Sequence, residues 1–244
     1  MKSKFFNIFI YTLLLIHSCI YFALLFFYLI PPMIFKTKKQ NLYRLRYSIR
    51  LYGYMILKIA LFPFVKIQYK NLSNYSKKEG IYIVNHRSSS DPFLMTFLNC
   101  DMIQVVSRWP FKIPVLGYFA KKAEYISVAD MSQYDFEKET KRILDQNISI
   151  AAFPEGTRSG SKKMNQFTSA IFRTALKIKC PLFPVCITGN ENIPTKNFVL
   201  NTGTIKMHKL PPILWDEYKD MSPFKLKNYI RNIIASEILK MEEA

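Results

Sequence analysis

The sequence predicts an α/β protein: a mixed, largely parallel sheet flanked by helices, preceded by an N-terminal hydrophobic membrane helix or helical hairpin. Three observations carry this. Short apolar runs at Ile81–Val84, Met102–Ser107, Ile148–Phe153 and Leu182–Ile187 have the length and composition of buried strands. Between them lie segments of ten or so residues with helical spacing. Ahead of them all, Phe5 to Phe35 contains no charged residue, enough to cross a hydrocarbon core of roughly 30 Å.

In chain order, the N-terminal run reads as one membrane helix ended by Pro31-Pro32. A cleaved signal is the competing reading, since Lys2 and Lys4 precede the run. The stretch is too long for one, and no small-residue cleavage site follows. Lys36, Lys38, Lys39, Arg44, Arg46 and Arg50 follow with no acidic residue among them. By the positive-inside rule this flank outweighs Lys2 and Lys4 and sets the rest of the chain on the cytoplasmic side, held to anionic headgroups as a single-pass or monotopic membrane protein. Leu51 to Val65, broken by Lys58 and Pro63, is too short for a confident span and reads as an interfacial helix packed back on the domain, with the second half of a membrane hairpin or a buried helix as the alternatives. The expected organisation is an anchor at 1–35, a basic flank and interfacial helix at 36–65, and one domain at 66–244.

Within that domain Lys66–Tyr69 begins the sheet, and Ile81–Val84 delivers Asn85-His86 at a strand end. Helix is expected over Pro92–Cys100, Tyr134–Asn147, about Thr168–Lys177 and about Pro223–Met241, with a further strand at Ala123–Val128 and an outer strand at Thr204–His208. The net charge is +18 and half the residues are apolar. That combination points to an anionic membrane surface or phosphorylated ligands rather than nucleic acid, because no zinc-finger spacing, helix-turn-helix pattern or stacking motif accompanies it. Cys19, Cys100, Cys180 and Cys186 read as reduced and buried. The three histidines, His17, His86 and His208, lie in different elements, so no metal site is expected.

Ligands of such sheets gather at the C-terminal ends of strands. Two polar loops stand there. The first, V-N-H-R-S-S-S-D from Val84 to Asp91, sets His86 five residues before Asp91. Within one helix these side chains would not face each other. With His86 in the turn and Asp91 in the first helical turn, the carboxylate can hold the imidazole as an orienting acid holds a base. The residues alone leave open an ordinary helix capped by Ser88 or Ser90. The second loop, P-E-G-T-R-S-G-S from Pro154 to Ser161, offers the Gly156 backbone, the Thr157 hydroxyl and Arg158, whose guanidinium can grip two phosphate oxygens. The residues alone also allow an ordinary polar turn with a surface arginine; the spacing is not that of a nucleotide-binding loop, and no nucleophile elbow is present.

H-R-S-S-S-D at His86–Asp91 together with F-P-E-G-T-R-S at Phe153–Ser159 resembles the membrane-associated glycerolipid acyltransferases, most of all the 1-acyl-sn-glycerol-3-phosphate acyltransferases that form phosphatidic acid. The likeness runs from about Leu57 onward. The chain departs from the family where Ala129-Asp130 stands in place of an expected arginine, and at Phe167-Thr168-Ser169-Ala170. The resemblance implies an enzyme that transfers an acyl chain from acyl-CoA or acyl carrier protein to a lysophospholipid hydroxyl, with no cofactor. His86 would then be the base, Asp91 its orienting acid, and Arg158, Gly156 and Thr157 the phosphate site. Glu155 would orient Arg158 or meet acceptor hydroxyls. Lys121, Lys122 and Arg108 would be further headgroup contacts, and backbone N–H groups near Ser88–Asp91 would hold the oxyanion. Another lysolipid or glycerol 3-phosphate is the alternative acceptor; a non-catalytic membrane scaffold would leave His86, Asp91 and Arg158 without a use.

Overall fold

The computed structural model describes residues 2–33, 35–77, 79–113, 115–128 and 131–243. Helix α1 spans Lys2–Met33, running past the prolines expected to end it. Pro32 has no N–H to give the Tyr28 carbonyl one turn back, and Arg44 donates to that carbonyl instead. Helix α2, Lys38–Met55, starts on a capping box in which Gln40 N–H donates to Thr37 Oγ1 at 3.3 Å and Thr37 N–H donates to Gln40 Oε1 at 3.0 Å. The two helices form an antiparallel hairpin in which the Tyr21 hydroxyl donates to the Ser48 carbonyl at 2.6 Å and Ser18 Oγ lies 2.7 Å from the Tyr52 hydroxyl.

The segment Leu51–Val65 is not a separate helix. It is the last turn of α2, a wide π turn at Ile56–Ala60 and a short bend into β1. Ile56, Leu57, Ala60 and Leu61 are buried in the core, while Ile59 and Phe62 are exposed. The basic flank is also less exposed than its charge implied. Arg46 is buried and pairs with Asp101 through two bonds of 2.6 and 2.7 Å, and Arg50 donates to Asn99 Oδ1 at 2.9 Å. Lys36, Lys38 and Lys39 are exposed.

Seven strands, β1 (Val65–Asn71), β2 (Ile81–Val84), β3 (Met102–Val106), β4 (Ile126–Ser127), β5 (Ser149–Ala152), β6 (Leu182–Thr188) and β7 (Gly203–Lys209), form one sheet in the order β1-β7-β6-β2-β5-β3-β4. Among the described strands only β6 and β7 pair antiparallel, with an isolated antiparallel bridge from Leu182 to Ile213, as a mixed, largely parallel sheet requires. β7 is not the outer strand its alternation predicted: it lies between β1 and β6. The alternation has another cause, because its polar residues face α8 (Pro223–Glu243), where His208 Nδ1 lies 2.7 Å from Glu237 and Lys206 Nζ donates to the Met241 carbonyl at 2.8 Å.

Both faces of the sheet are covered. Ile81, Ile83, Ile150 and Cys186 pack under α5 (Gln133–Leu144), α6 (Ala170–Ile178) and α8 through Phe136, Ile143, Phe172 and Ile230. Tyr82, Val84, Phe183 and Val185 pack with Ile10 of α1, Leu57 and Leu94. The expected Pro92–Cys100 helix is a four-residue turn, α3 (Asp91–Leu94), continued as 3-10 helix over Met95–Leu98 to Asn99 in the left-handed region. α4 (Leu116–Lys122) follows β3, and the short α7 (Trp215–Tyr218) precedes α8. Strand β2 is central, and Ile83 pairs with Ala152 of β5. That register sets the loops leaving β2 and β5 side by side at the C-terminal ends of both strands.

Candidate active site

His86 is in the turn after β2 and Asp91 is the first residue of α3. The chain folds back between them, so that His86 Nδ1 lies 2.7 Å from Asp91 Oδ2. The same carboxylate oxygen accepts the backbone N–H of Arg87 at 2.8 Å and of Ser88 at 2.9 Å. Oδ1 accepts the side-chain amide of Asn190. Asp91 is fully buried and serves as an acceptor to each of these donors. An acceptor facing Nδ1 fixes the imidazole as the Nδ1–H tautomer and leaves the Nε2 lone pair for chemistry. The His86 side chain keeps 17% of its exposure, and the Phe153 ring lies 4.7 Å from it.

The second loop is stitched to the first by backbone. Ser159 N–H donates to the His86 carbonyl at 2.8 Å and Gly160 N–H to the Arg87 carbonyl at 3.0 Å. Glu155 is the brace between them: one oxygen accepts His86 N–H at 2.6 Å and the other accepts Asn165 N–H at 2.7 Å. Burial raises its carboxyl above the ordinary value, while these backbone donors and His86 pull it down. Gly156 has φ +70, which explains the glycine, but its N–H closes a turn on the Phe153 carbonyl at 3.0 Å and is not presented outward as expected. Thr157 is exposed, and the Arg158 guanidinium stacks on the Phe198 ring at 5.4 Å.

His86, Gly156, Thr157 and Arg158 share the wall of one cavity of about 690 Å³. The rest of that wall is largely apolar and comes from Phe22 and Leu25 of α1, Tyr52 of α2, Phe93, Phe119 and Ile171. Lys121, Lys122 and Arg108 are exposed and do not line it; Lys122 instead stacks on Tyr118 at 5.7 Å. Ala129-Asp130 lies outside the described residues.

A family model described as Acyltransferase matches residues 66–188, which contain both loops. The 1-acyl-sn-glycerol-3-phosphate acyltransferase of Limnanthes alba is 30% identical over 200 residues, covering 77% of this chain and 70% of that protein. The chain belongs to the glycerolipid acyltransferase family. A bacterial relative of the same name from Borreliella burgdorferi is 28% identical over 192 residues, covering 73% and 72%. The fold matches the crystal structure of the 1-acyl-sn-glycerophosphate (LPA) acyltransferase PlsC from Thermotoga maritima with a TM-score of 0.80, at 17% identity over 99% of this chain and 98% of that one.

In this glycerolipid acyltransferase the four cysteines are free, but only Cys180 and Cys186 are buried as expected; Cys100 is half-buried and Cys19 is exposed on α1. Burial raises the thiols of Cys100 and Cys186, and pushes that of Cys180 up to about 12. Thiols held protonated in this way are poor nucleophiles. Two site residues escaped the sequence reading. Asn190 holds Asp91 from 99 positions away. Arg87, 1% exposed, donates from Nη1 to Thr188 at 2.9 Å and Glu242 at 2.8 Å, and from Nη2 to the Lys162 carbonyl at 2.8 Å. It thereby joins the His86 loop, the Arg158 loop and the end of α8. Neither has a local sequence signal, because every partner is distant in the chain.

Proposed function

We propose that this acyltransferase moves an acyl chain from acyl-CoA or acyl carrier protein to the free sn-2 hydroxyl of 1-acyl-sn-glycerol-3-phosphate, forming phosphatidic acid. One observation carries the reading: His86, oriented from behind by the buried Asp91, and Arg158 share the wall of one largely apolar cavity reached by α1. An acyl chain needs the apolar wall, a phosphate needs the guanidinium, and a hydroxyl needs a base between them. The names carried by the plant and bacterial relatives agree with this acceptor.

In the mechanism, Arg158 and Thr157 hold the acceptor phosphate and turn its hydroxyl toward His86. Nε2 takes the hydroxyl proton as the oxygen attacks the thioester carbonyl, and Asp91 offsets the charge on the imidazolium. The tetrahedral intermediate expels the thiolate, which recovers the proton from His86. The developing oxyanion needs a donor. In the turn before α3 the N–H groups of Arg87, Ser88, Ser90 and Asp91 are taken internally. Ser89, on the cavity wall, enters none of these bonds and supplies that donor.

The membrane attachment is monotopic in this reading. Among the described residues one helix, Lys4–Pro31 within α1, is long and apolar enough to cross a bilayer. Yet α1 holds the domain from Asn7, bonded to Leu200, to Phe22, stacked on Phe119 at 5.6 Å, a span of roughly 22 Å along the helix. A helix leaving the domain to span the membrane would not keep those contacts. Its outer face, with Phe5, Ile8, Leu15, Ile20, Leu24 and Phe27 exposed, then lies in one leaflet. The exposed Lys36, Lys38 and Lys39 meet anionic headgroups beside it.

The test is product identification by mass spectrometry after incubating the purified protein with a panel of acyl thioesters and lysolipids. Phosphatidic acid is expected, and His86→Ala should abolish it while still floating with vesicles. Acylation of a different lysolipid alone, or turnover by His86→Ala, would refute the acceptor or the base respectively.

A further inference from the structure

The β6–β7 connection, residues 189–202, meets the catalytic loop and α1 at once. Near its start Asn190 donates to Ser90 Oγ at 3.2 Å and to Asp91 Oδ1, and Ser88 Oγ donates to the Pro194 carbonyl at 2.9 Å. Farther on it turns back on itself. Phe198 N–H donates to the Thr195 carbonyl at 3.0 Å and Thr195 N–H to the Val199 carbonyl at 2.9 Å. Three bonds fasten this turn to α1: the Tyr11 hydroxyl to the Phe198 carbonyl at 2.5 Å, Asn7 Nδ2 to the Leu200 carbonyl at 3.1 Å, and Leu200 N–H to Asn7 Oδ1 at 2.7 Å.

Phe198 is out of place in such a turn on two counts. Its φ is +59, in the left-handed region where a bulky side chain is strained and Gly or Asn is at ease. Its side chain gains little from burial, being 52% exposed. What the ring does have is a cation, since the Arg158 guanidinium carbon lies 5.4 Å from its centroid. A ring face meets a guanidinium through its plane, so it steadies the group without occupying the in-plane N–H directions that bind phosphate oxygens.

We propose that Phe198 is a positioning residue that holds the Arg158 guanidinium on the cavity wall, and that α1 seats Phe198 through Tyr11 and Asn7. The inference rests on reading Arg158 as the phosphate-binding arm. It makes the headgroup site depend on the docking of the membrane helix: the arm is set where the turn is held, and the turn is held by α1. A cation–π contact suits this use because the ring holds the guanidinium through its face and adds no competing anion.

The experiment compares Phe198→Asn, Phe198→Trp, Tyr11→Phe and Arg158→Ala in full-length protein on vesicles, with 1-acyl-sn-glycerol-3-phosphate as acceptor and an acyl-CoA as donor. Phe198→Asn relieves the backbone while removing the ring, so its Tm should match or exceed that of the wild type. Its apparent KM for the acceptor should rise roughly two- to five-fold, the range of a partly exposed cation–π contact, with the KM for acyl-CoA unchanged. Phe198→Trp should restore the acceptor KM, and Tyr11→Phe should raise it. In the Arg158→Ala background Phe198→Asn should add nothing. An unchanged KM in Phe198→Asn or Tyr11→Phe, or additive effects of Phe198→Asn and Arg158→Ala, would overturn the proposal while the effect of Arg158→Ala stood. If Arg158→Ala itself left the acceptor KM unchanged, the phosphate reading beneath it would fail.

Discussion

The side-chain amide of Asn190 donates to Oδ1 of Asp91, completing a carboxylate whose other oxygen faces His86 and two backbone N–H groups. With Asn190 held as it stands, an amide in place of that carboxylate aims its NH2 at a donor whichever way it is turned. For Asp91→Asn we expect kcat to fall by up to roughly 10⁴-fold, as when an orienting carboxylate is lost and the imidazole tautomer is no longer fixed. Asn190→Ala removes one hydrogen bond to a charged group and leaves the pair, so a fall of about tenfold is expected. Steady-state kinetics on both variants decide it. Equal losses in the two, or a wild-type kcat in Asp91→Asn, would be inconsistent with this division of labour.

Arg87 predicts a stability effect rather than a kinetic one. Its buried guanidinium neutralises Glu242 and Glu191 and holds the Lys162 carbonyl. Arg87→Met keeps the bulk but takes the donors from the buried Thr188 hydroxyl and the Lys162 carbonyl, while Glu191 and Glu242 retain access to water, so a loss of about 1–3 kcal/mol is expected. Glu242→Gln keeps a hydrogen-bond acceptor beside Arg87 and should lose less, about 1 kcal/mol. Urea unfolding of the detergent-solubilised protein measures both. No measurable loss in Arg87→Met would show that the hub is dispensable.

These two residues also mark where sequence reading ends. β6 was legible because all seven of its residues are buried, and a strand covered on both faces must be a continuous apolar run. The two site loops were legible because their chemistry is local: His86 and Asp91 are five apart, and Glu155 to Arg158 are consecutive. Asn190 and Glu242 reach the site from 99 and 155 positions away, and no local pattern announces them. Charge misled in a related way. The run from Lys36 to Arg50 reads as a uniform headgroup patch, yet Arg46 is buried on Asp101, and Arg44 and Arg50, half-buried, are engaged by the Tyr28 carbonyl and Asn99. Net charge reports how many cations a segment carries, not which way their long side chains turn.

Glu155 carries a pH signature. Burial raises its carboxyl above the ordinary value, so the native state holds that proton longer than the unfolded chain. Its contribution to stability is complete below the unfolded value near ~4.3 and is lost as pH rises through the raised native value. Glu155→Gln removes the titration. The stability of the wild type relative to this variant should therefore decline with rising pH just above the unfolded value, then level off. Unfolding curves for both proteins across this window give the difference, and a relative stability that climbed with pH would refute the sign.

The proposed monotopic attachment of α1 requires both of its ends to be accessible from one side. Its inner face is committed to the domain, since Ile10 is fully buried and Tyr21 and Leu25 nearly so, while its outer face remains for lipid. Lys4→Cys and Lys36→Cys, each in a background where the exposed Cys19 is replaced by Ser, place a thiol at either end. With protein bound from outside to sealed vesicles, a membrane-impermeant maleimide should label both thiols without detergent and to similar extents. A helix that spans the roughly 30 Å core would carry one of the two thiols to the far side, and that position would label only after the vesicles were opened.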